Sequence, residues 1–462
     1  MAETLTYRTI SRTTIPAGTA ASANFSLNPL DHAVWGGLAE VVYFYHCTLD
    51  PMRLQQSLRR TLQDFPVLCG QLRSEPDGTL SIGYPHSGVL FTVREVNLPI
   101  SKVKSGLHEA YSVHDFIEKI NPLLLKRQNR PLATFRITHM KGGGSALGIS
   151  ISHALADGYS FYYFIKRWSQ IHNGLTAEPP LHDRSLLAFT GEAASSLPIS
   201  AAGLPRTCGG FRLLTAWQLF RLISRFLVQQ RSVVCRILRF SSSQAMAIKS
   251  AAGRQGPVSL NDALTAHLWQ FCTRLQNSAS QNAPRKLLIP ANMRPTIDHP
   301  LSRNYFGNAI SNVVVGCSIG ELTGGNIASI ANTCRQRVEA LDREYFKEQM
   351  LWLHEQEKNK NMLRVQADVN PFAGDCFITS LFRMPVYAAC FDGHMPAWAG
   401  IPAVPIPWVL FLMPAPGDSG GIDVYANLPR SAADKLKLDA WQAELYKYGE
   451  ADDAALTGEP GD

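Results

Sequence analysis

Residues 131–168 constrain the fold more than any other stretch of this chain, because two alternating runs, a glycine turn and a helical stripe follow one another without a break. Phe135 and Ile137 alternate with polar neighbours, residues 141–144 make a turn, and Leu147, Ile149 and Ile151 alternate on the return. That pattern predicts a β-hairpin with one buried face. Phe161, Phe164, Ile165 and Trp168 then recur at the spacing of one helix face. His153 falls in register with the apolar face at the end of the second strand, and Ala154-Leu155-Ala156-Asp157-Gly158 turn the chain into the helix. An imidazole fixed at the end of a buried strand is a side chain that can both take and give a proton near neutral pH. The spacing alone identifies nothing, since 13 histidines make an accidental His-x-x-x-Asp unsurprising. Taken alone, His153 reads first as a core histidine satisfied by a backbone carbonyl, and Asp157 as the cap of the following helix with Gly158 serving the turn.

The rest of the chain supplies the frame. A length of 462 residues is about three times the commonest domain length, so two domains of similar size are expected. Hydrophobic residues at 45% against 18% charged exclude a disordered or fibrous chain, and no apolar run approaches the roughly 18 to 20 residues of a bilayer crossing. A net charge of +7 without a run of five Lys or Arg supports neither nucleic-acid nor lipid binding, but fits a polyanionic small molecule. Nine scattered cysteines, never spaced as CxxC, argue against a disulfide framework or a zinc site and for a reducing compartment. The first residues carry an early Glu and no apolar run of a secretory signal, so a cytoplasmic location is expected.

Residues 38–47 read as a buried strand, and Asp50-Pro51 followed by Leu54, Leu58 and Leu62 as a capped helix that ends at Pro66. Residues 177–210 lack periodicity, which suggests a first domain at 1–195, a crossover linker at 196–215 and a second domain at 216–462. In the second part, residues 233–240 read as a strand, and Ser259-Leu260-Asn261-Asp262 has capping-box spacing before a helix. Residues 407–413 and 422–428 are strands around a PGDSGG turn, and the last dozen residues form an acidic tail. Gly142, Gly143 and Gly144 join two strands and do not open a helix, so they are a hairpin turn and not a phosphate loop. The segment from Trp217 to Phe226 mixes aromatic and basic residues as an interfacial helix would. With only two arginines and a buried strand soon after, it is expected to pack on the core. Strands and helices in both halves give an α/β class with α+β mixed sheets.

Several segments, in order, resemble the BAHD family of acyl-CoA-dependent acyltransferases within the chloramphenicol-acetyltransferase-like superfamily. They are FPVLCGQLR at 65–73, SHALADGYSF at 152–161, VSLNDALTAHLWQ at 258–270, NMRP at 292–295, NYFGNA at 304–309 and TSLFRMPVY at 379–387. His-x-x-x-Asp-Gly alone reaches only the superfamily, whereas the AHLW and YFGN segments favour the CoA-using branch over peptide-synthetase condensation domains. Condensation domains also tend to have a second histidine before the motif, where Ser152 stands here.

The resemblance implies two similar domains with a channel between them, acyl-CoA approaching from one face and a small alcohol or amine acceptor from the other. It makes His153 the general base, with no covalent acyl-enzyme, no metal and no permanently bound cofactor. Asp157 becomes a brace paired with Arg294, and Gly158 a support of the same turn. Lys249, Ser259, Thr379 and Ser380 become candidates for holding CoA; alone, Lys249 is a solvated helix lysine, Ser259 a capping residue and Arg294 a surface arginine. The family's Asp-Phe-Gly-Trp-Gly loop reads Cys390-Phe391-Asp392-Gly393-His394 here, and Leu381 replaces the Trp after Thr-Ser, which suggests a divergent, fungal or microbial branch. The rival readings are a condensation-like enzyme fed by a carrier-protein thioester and a non-catalytic binding member of the fold. A monomer is expected.

Overall fold

The computed structural model describes residues 6–449 apart from 19–23, 85–87, 106–111, 128–129, 177, 190–203, 278–279, 298–300, 302 and 418–419. The expected acidic tail and residues 196–203 of the expected linker lie outside the described residues.

Two six-stranded mixed sheets carry the architecture. The first runs Tyr7–Ile15, Val89–Val96, Ala133–Met140, Ser145–Ser152, Leu38–Tyr45 and Trp398–Gly400. The predicted hairpin is its centre: Phe135 faces Ile149 and Ile137 faces Leu147, and Ser145–Ser152 is buried along its whole length. Gly142, Gly143 and Gly144 all adopt positive φ, which a tight turn needs and a side chain would oppose. The last strand comes from far along the chain, pairing Ala399 with Tyr43, so the second half of the sequence completes the sheet of the first. The second sheet runs Val233–Phe240, Ile422–Pro429, Val409–Pro414, Cys376–Ser380, Pro284–Asn292 and Ile310–Ser318.

Helices cover these sheets because each has one apolar stripe to bury. Helix Pro51–Asp64 starts at Asp50, whose carboxylate accepts from the amides of Met52 and Arg53, and it buries Leu54, Leu58 and Leu62. Helix Gly158–His172 buries Phe161, Phe164, Ile165 and Trp168 against the first sheet, and Leu260–Leu275 fills the core of the second. Residues 207–213 of the expected linker form two short strands, Thr207–Cys208 and Phe211–Leu213, the latter paired with Val365–Ala367.

One expectation is overturned. Helix Ala216–Gln229, which includes Trp217 and Phe226, does not pack in a core: none of its residues is fully buried. Its sequence is apolar around most of its circumference, so the period that marks a packing face is present without specifying which face finds a partner.

Candidate active site

The hairpin and the helix after it fix one imidazole at the border of the two sheets. His153 follows the last residue of Ser145–Ser152, and its backbone amide donates to the carbonyl of Gly37 at 2.9 Å. Its Nδ1 lies 3.1 Å from Oδ1 of Asn308. The orientation of Asn308 decides which ring nitrogen carries the proton. The Asn308 amide nitrogen donates to the Asp31 carboxylate at 2.7 Å and to the His153 carbonyl at 2.8 Å. Both of those oxygens can only accept, so Oδ1 is the Asn308 atom that faces the imidazole, and His153 Nδ1–H is the donor to it. Nε2 then keeps its lone pair, and no described residue hydrogen-bonds it.

Asp31 is itself fully buried and held by Arg184, whose Nε donates to it at 2.7 Å. Arg184 also donates to the carbonyls of Leu155 and Phe306, tying the turn after His153 to the segment that holds Asn308. Neither Asp31 nor Arg184 stood out in the sequence, and Asn308 sat unremarked inside the NYFGNA segment. Apart from Leu155, 29 residues from Arg184, the partners named here lie 122 to 277 residues away along the chain, beyond the reach of any local pattern.

Asp157 caps helix Gly158–His172 through Ser160 N at 2.9 Å, and also meets Arg294 in a two-pronged pair at 2.8 and 3.1 Å. Both are almost wholly buried, at 1% and 5% exposure. Arg294 donates further to Ser160 Oγ and the Gly307 carbonyl at 2.8 Å each, and Ala309 N donates to Asp157 at 3.0 Å. Burial pushes the Asp157 carboxyl up, but the Arg294 charge and hydrogen bonds outweigh it and hold the carboxyl below its ordinary range. Asp157 is thus cap and ion-pair partner at once, and it joins the His153 turn to the Arg294 and Asn308 segments.

His153 lines a cavity of about 790 Å³ whose walls come from both halves of the chain, among them Trp35, Tyr162, Asn292, Phe377 and Phe411. Thr379 and Ser380, the end of strand Cys376–Ser380, line it, as do Gly158 and Leu381. Lys249 and Ser259 do not. Lys249 lies in the last turn of helix Ser242–Ala252, and Ser259 spends its hydroxyl on Asp262 at 2.7 Å as the cap of Leu260–Leu275. Among the described residues, none that lines the cavity is a cysteine. Burial pushes the thiols of Cys69, Cys208 and Cys235 up to about 12, which disfavours a thiolate nucleophile.

The altered loop, residues 390–394, is not among the residues that line the cavity. Asp392, at φ 51°, accepts from Asp50 N at 3.1 Å and lies 3.1 Å from His172 Nε2, and Phe391 packs on Trp168. It anchors the far end of the helix whose first turn follows His153.

Gly37 sets the space beside the imidazole. A Cβ there would lie 3.2 Å from His153 Cβ and 3.4 Å from the Val34 carbonyl, whereas a Cβ at Gly36 meets nothing within 4 Å. Since Asn308 and the Gly37 carbonyl hold His153, the ring has little room to yield. Gly37→Ala is expected to lower kcat about 10- to 100-fold through displacement of the imidazole, and Gly36→Ala to leave it unchanged. Steady-state kinetics of the two variants checks this; equal rates for both contradict it.

The chain matches known proteins over most of its length. The model of the Transferase family matches residues 6–442. Hydroxycinnamoyltransferase of Narcissus pseudonarcissus is 26% identical over 412 residues, covering 84% of this chain and 88% of that protein. Shikimate O-hydroxycinnamoyltransferase of Nicotiana tabacum is 25% identical, covering 88% and 91%. Among solved structures, F. graminearum TRI101 complexed with coenzyme A and T-2 mycotoxin aligns with a TM-score of 0.72 at 18% identity, covering 91% of this chain and 98% of that one. Vinorine synthase aligns at 0.69 and 17%, covering 94% and 98%. The fold is the two-domain chloramphenicol-acetyltransferase-like fold of acyltransferases. The chain belongs to the Transferase family, the BAHD-type enzymes that move an acyl group from acyl-CoA to a hydroxyl or amine.

Proposed function

We propose that this chain acylates a small alcohol or amine directly from acyl-CoA, with His153 as general base. What carries the reading is the Asn308 contact, which leaves Nε2 as the ring nitrogen able to take a proton, on a residue that lines a cavity of about 790 Å³. The acceptor O–H or N–H gives its proton to Nε2 as its heteroatom bonds to the thioester carbonyl carbon. The tetrahedral intermediate collapses with cleavage of the C–S bond, and the imidazolium returns the proton to the departing thiolate. Neutral imidazole is regenerated, and the products are acylated acceptor and free CoA thiol.

Asp157, Arg294 and Gly158 hold the turn that carries His153. Thr379 and Ser380, which line the cavity, meet the donor there; Lys249 and Ser259, outside its walls, are left as candidates for the distal part of CoA. The division at 1–195, 196–215 and 216–462 remains our working boundary, with the strand Trp398–Gly400 lent to the first sheet. The test is purified protein with acyl-CoA and a panel of alcohols and amines, without a carrier protein. Free thiol together with acylated acceptor is expected; turnover only from a carrier-bound thioester would assign the condensation-like reading.

A further inference from the structure

Helix Ala216–Gln229 is a wall of the cavity on one side and an uncovered apolar surface on the other. Leu219, Leu222 and Phe226 line the cavity. On the opposite face Trp217, Phe220, Leu227 and Val228 are 64%, 59%, 60% and 77% exposed, and the rings of Trp217 and Phe220 stack at 5.5 Å. Four large apolar side chains on one exposed helix are not the scatter expected on a soluble surface.

The charged residues of this stretch of the sequence have a single sign. No Asp or Glu occurs between Glu192 and Asp262. Arg221 and Arg225 run along one flank of the helix and, with Arg212 and Gln218, line a pocket of about 220 Å³. Among the described residues, no carboxylate lies within ion-pair distance of any of the three arginines. The Nε of Arg212 is buried without a hydrogen-bond partner, although its Nη2 donates to the Val369 carbonyl at 3.2 Å. Three guanidinium groups without counter-charge, beside a row of exposed aromatic and aliphatic side chains, form the two-part surface of a helix that lies in a lipid interface.

We propose that helix Ala216–Gln229 docks this protein on an anionic lipid bilayer. Trp217, Phe220, Leu227 and Val228 enter the boundary between headgroups and acyl chains. Arg212, Arg221 and Arg225 receive lipid phosphate, which supplies the negative charge missing from this part of the chain. Helix packing on water-soluble cores does not need this arrangement, and it accounts for the overturned expectation that the helix is a core element. A consequence, which rests on the transferase reading, is that an apolar acceptor dissolved in the bilayer would meet the cavity through the wall that touches the membrane.

The experiment is co-sedimentation of the full chain with vesicles of phosphatidylcholine alone or with about one third phosphatidylserine. Wild-type protein is expected to pellet with the anionic vesicles and to be released by high salt. Arg221→Gln and Arg225→Gln are each expected to weaken partition about fivefold. Trp217→Ser combined with Phe220→Ser is expected to abolish it with Tm unchanged, since both side chains are already in water. Wild-type protein remaining in the supernatant, or the double variant pelleting as well as wild type, overturns the proposal. So does a concentration-dependent dimer in sedimentation velocity that the double variant breaks, because the face would then belong to a second copy. None of these readouts involves acyl transfer, so the proposal and the transferase reading can fail separately.

Discussion

His153→Ala is expected to lower kcat by about 10² to 10⁴, the usual contribution of a positioned general base, while the protein remains folded. The side chain is only partly buried and its polar contact is a single hydrogen bond to Asn308, so removing it leaves no buried charge behind. KM for acyl-CoA is expected to change little, because the ring handles the proton and not the bulk of the donor. A circular-dichroism melt alongside the kinetics separates lost chemistry from lost structure. Wild-type turnover in the purified variant contradicts the assignment. His153→Gln keeps a group of similar length without a proton acceptor of comparable basicity and is expected to be as inactive.

Asp157→Ala is expected to act on stability first. It leaves the Arg294 guanidinium, 5% exposed, without its counter-charge, and stranding one member of a buried pair typically costs about 3 to 5 kcal/mol. The cap on helix Gly158–His172 goes as well, at roughly 1 kcal/mol. Arg294→Ala strands Asp157 in the same way. The double variant Asp157→Asn with Arg294→Met is expected to be less destabilised than the sum of the two alanine variants, because neither buried charge remains. The pair also has a pH signature. The folded Asp157 carboxyl sits below its unfolded value, so its contribution is present above the ordinary carboxylate range and is lost as pH falls through the folded value. Denaturant melts of the three variants test this, and unchanged midpoints in both alanine variants contradict it. Activity is expected to fall with stability, since the same turn carries His153.

Much of this site was legible before any fold was known. The alternation of Phe135, Ile137, Leu147, Ile149 and Ile151 placed the hairpin, and the stripe of Phe161, Phe164, Ile165 and Trp168 placed the helix, because both patterns are local and their periods differ. His153 therefore had a position, at a strand end before a helix. The Asp157–Arg294 contact came from family resemblance and not from spacing, since 137 residues separate the partners. Asn308, Asp31 and Arg184 escaped notice for the same reason: each is an ordinary polar residue until the fold brings its partner. Ser259 shows the converse, a local signal read well, where the capping box formed as spaced. Helix Ala216–Gln229 shows where periodicity misleads, because apolar residues on two faces predict burial for both while the fold offers a neighbour to only one. The strand Trp398–Gly400 was invisible because three residues carry no period, and its place in the first sheet is decided wholly by pairing with Leu38–Tyr45.

In this mechanism the imidazole lets the acceptor attack acyl-CoA directly. A single-turnover reaction with enzyme in excess over acyl-CoA tests it most directly, following free thiol and intact-protein mass with and without acceptor. Without acceptor, no thiol and an unmodified protein mass are expected; with acceptor, stoichiometric thiol and acylated acceptor are expected. A burst of thiol without acceptor, together with a protein mass raised by one acyl group, would contradict it.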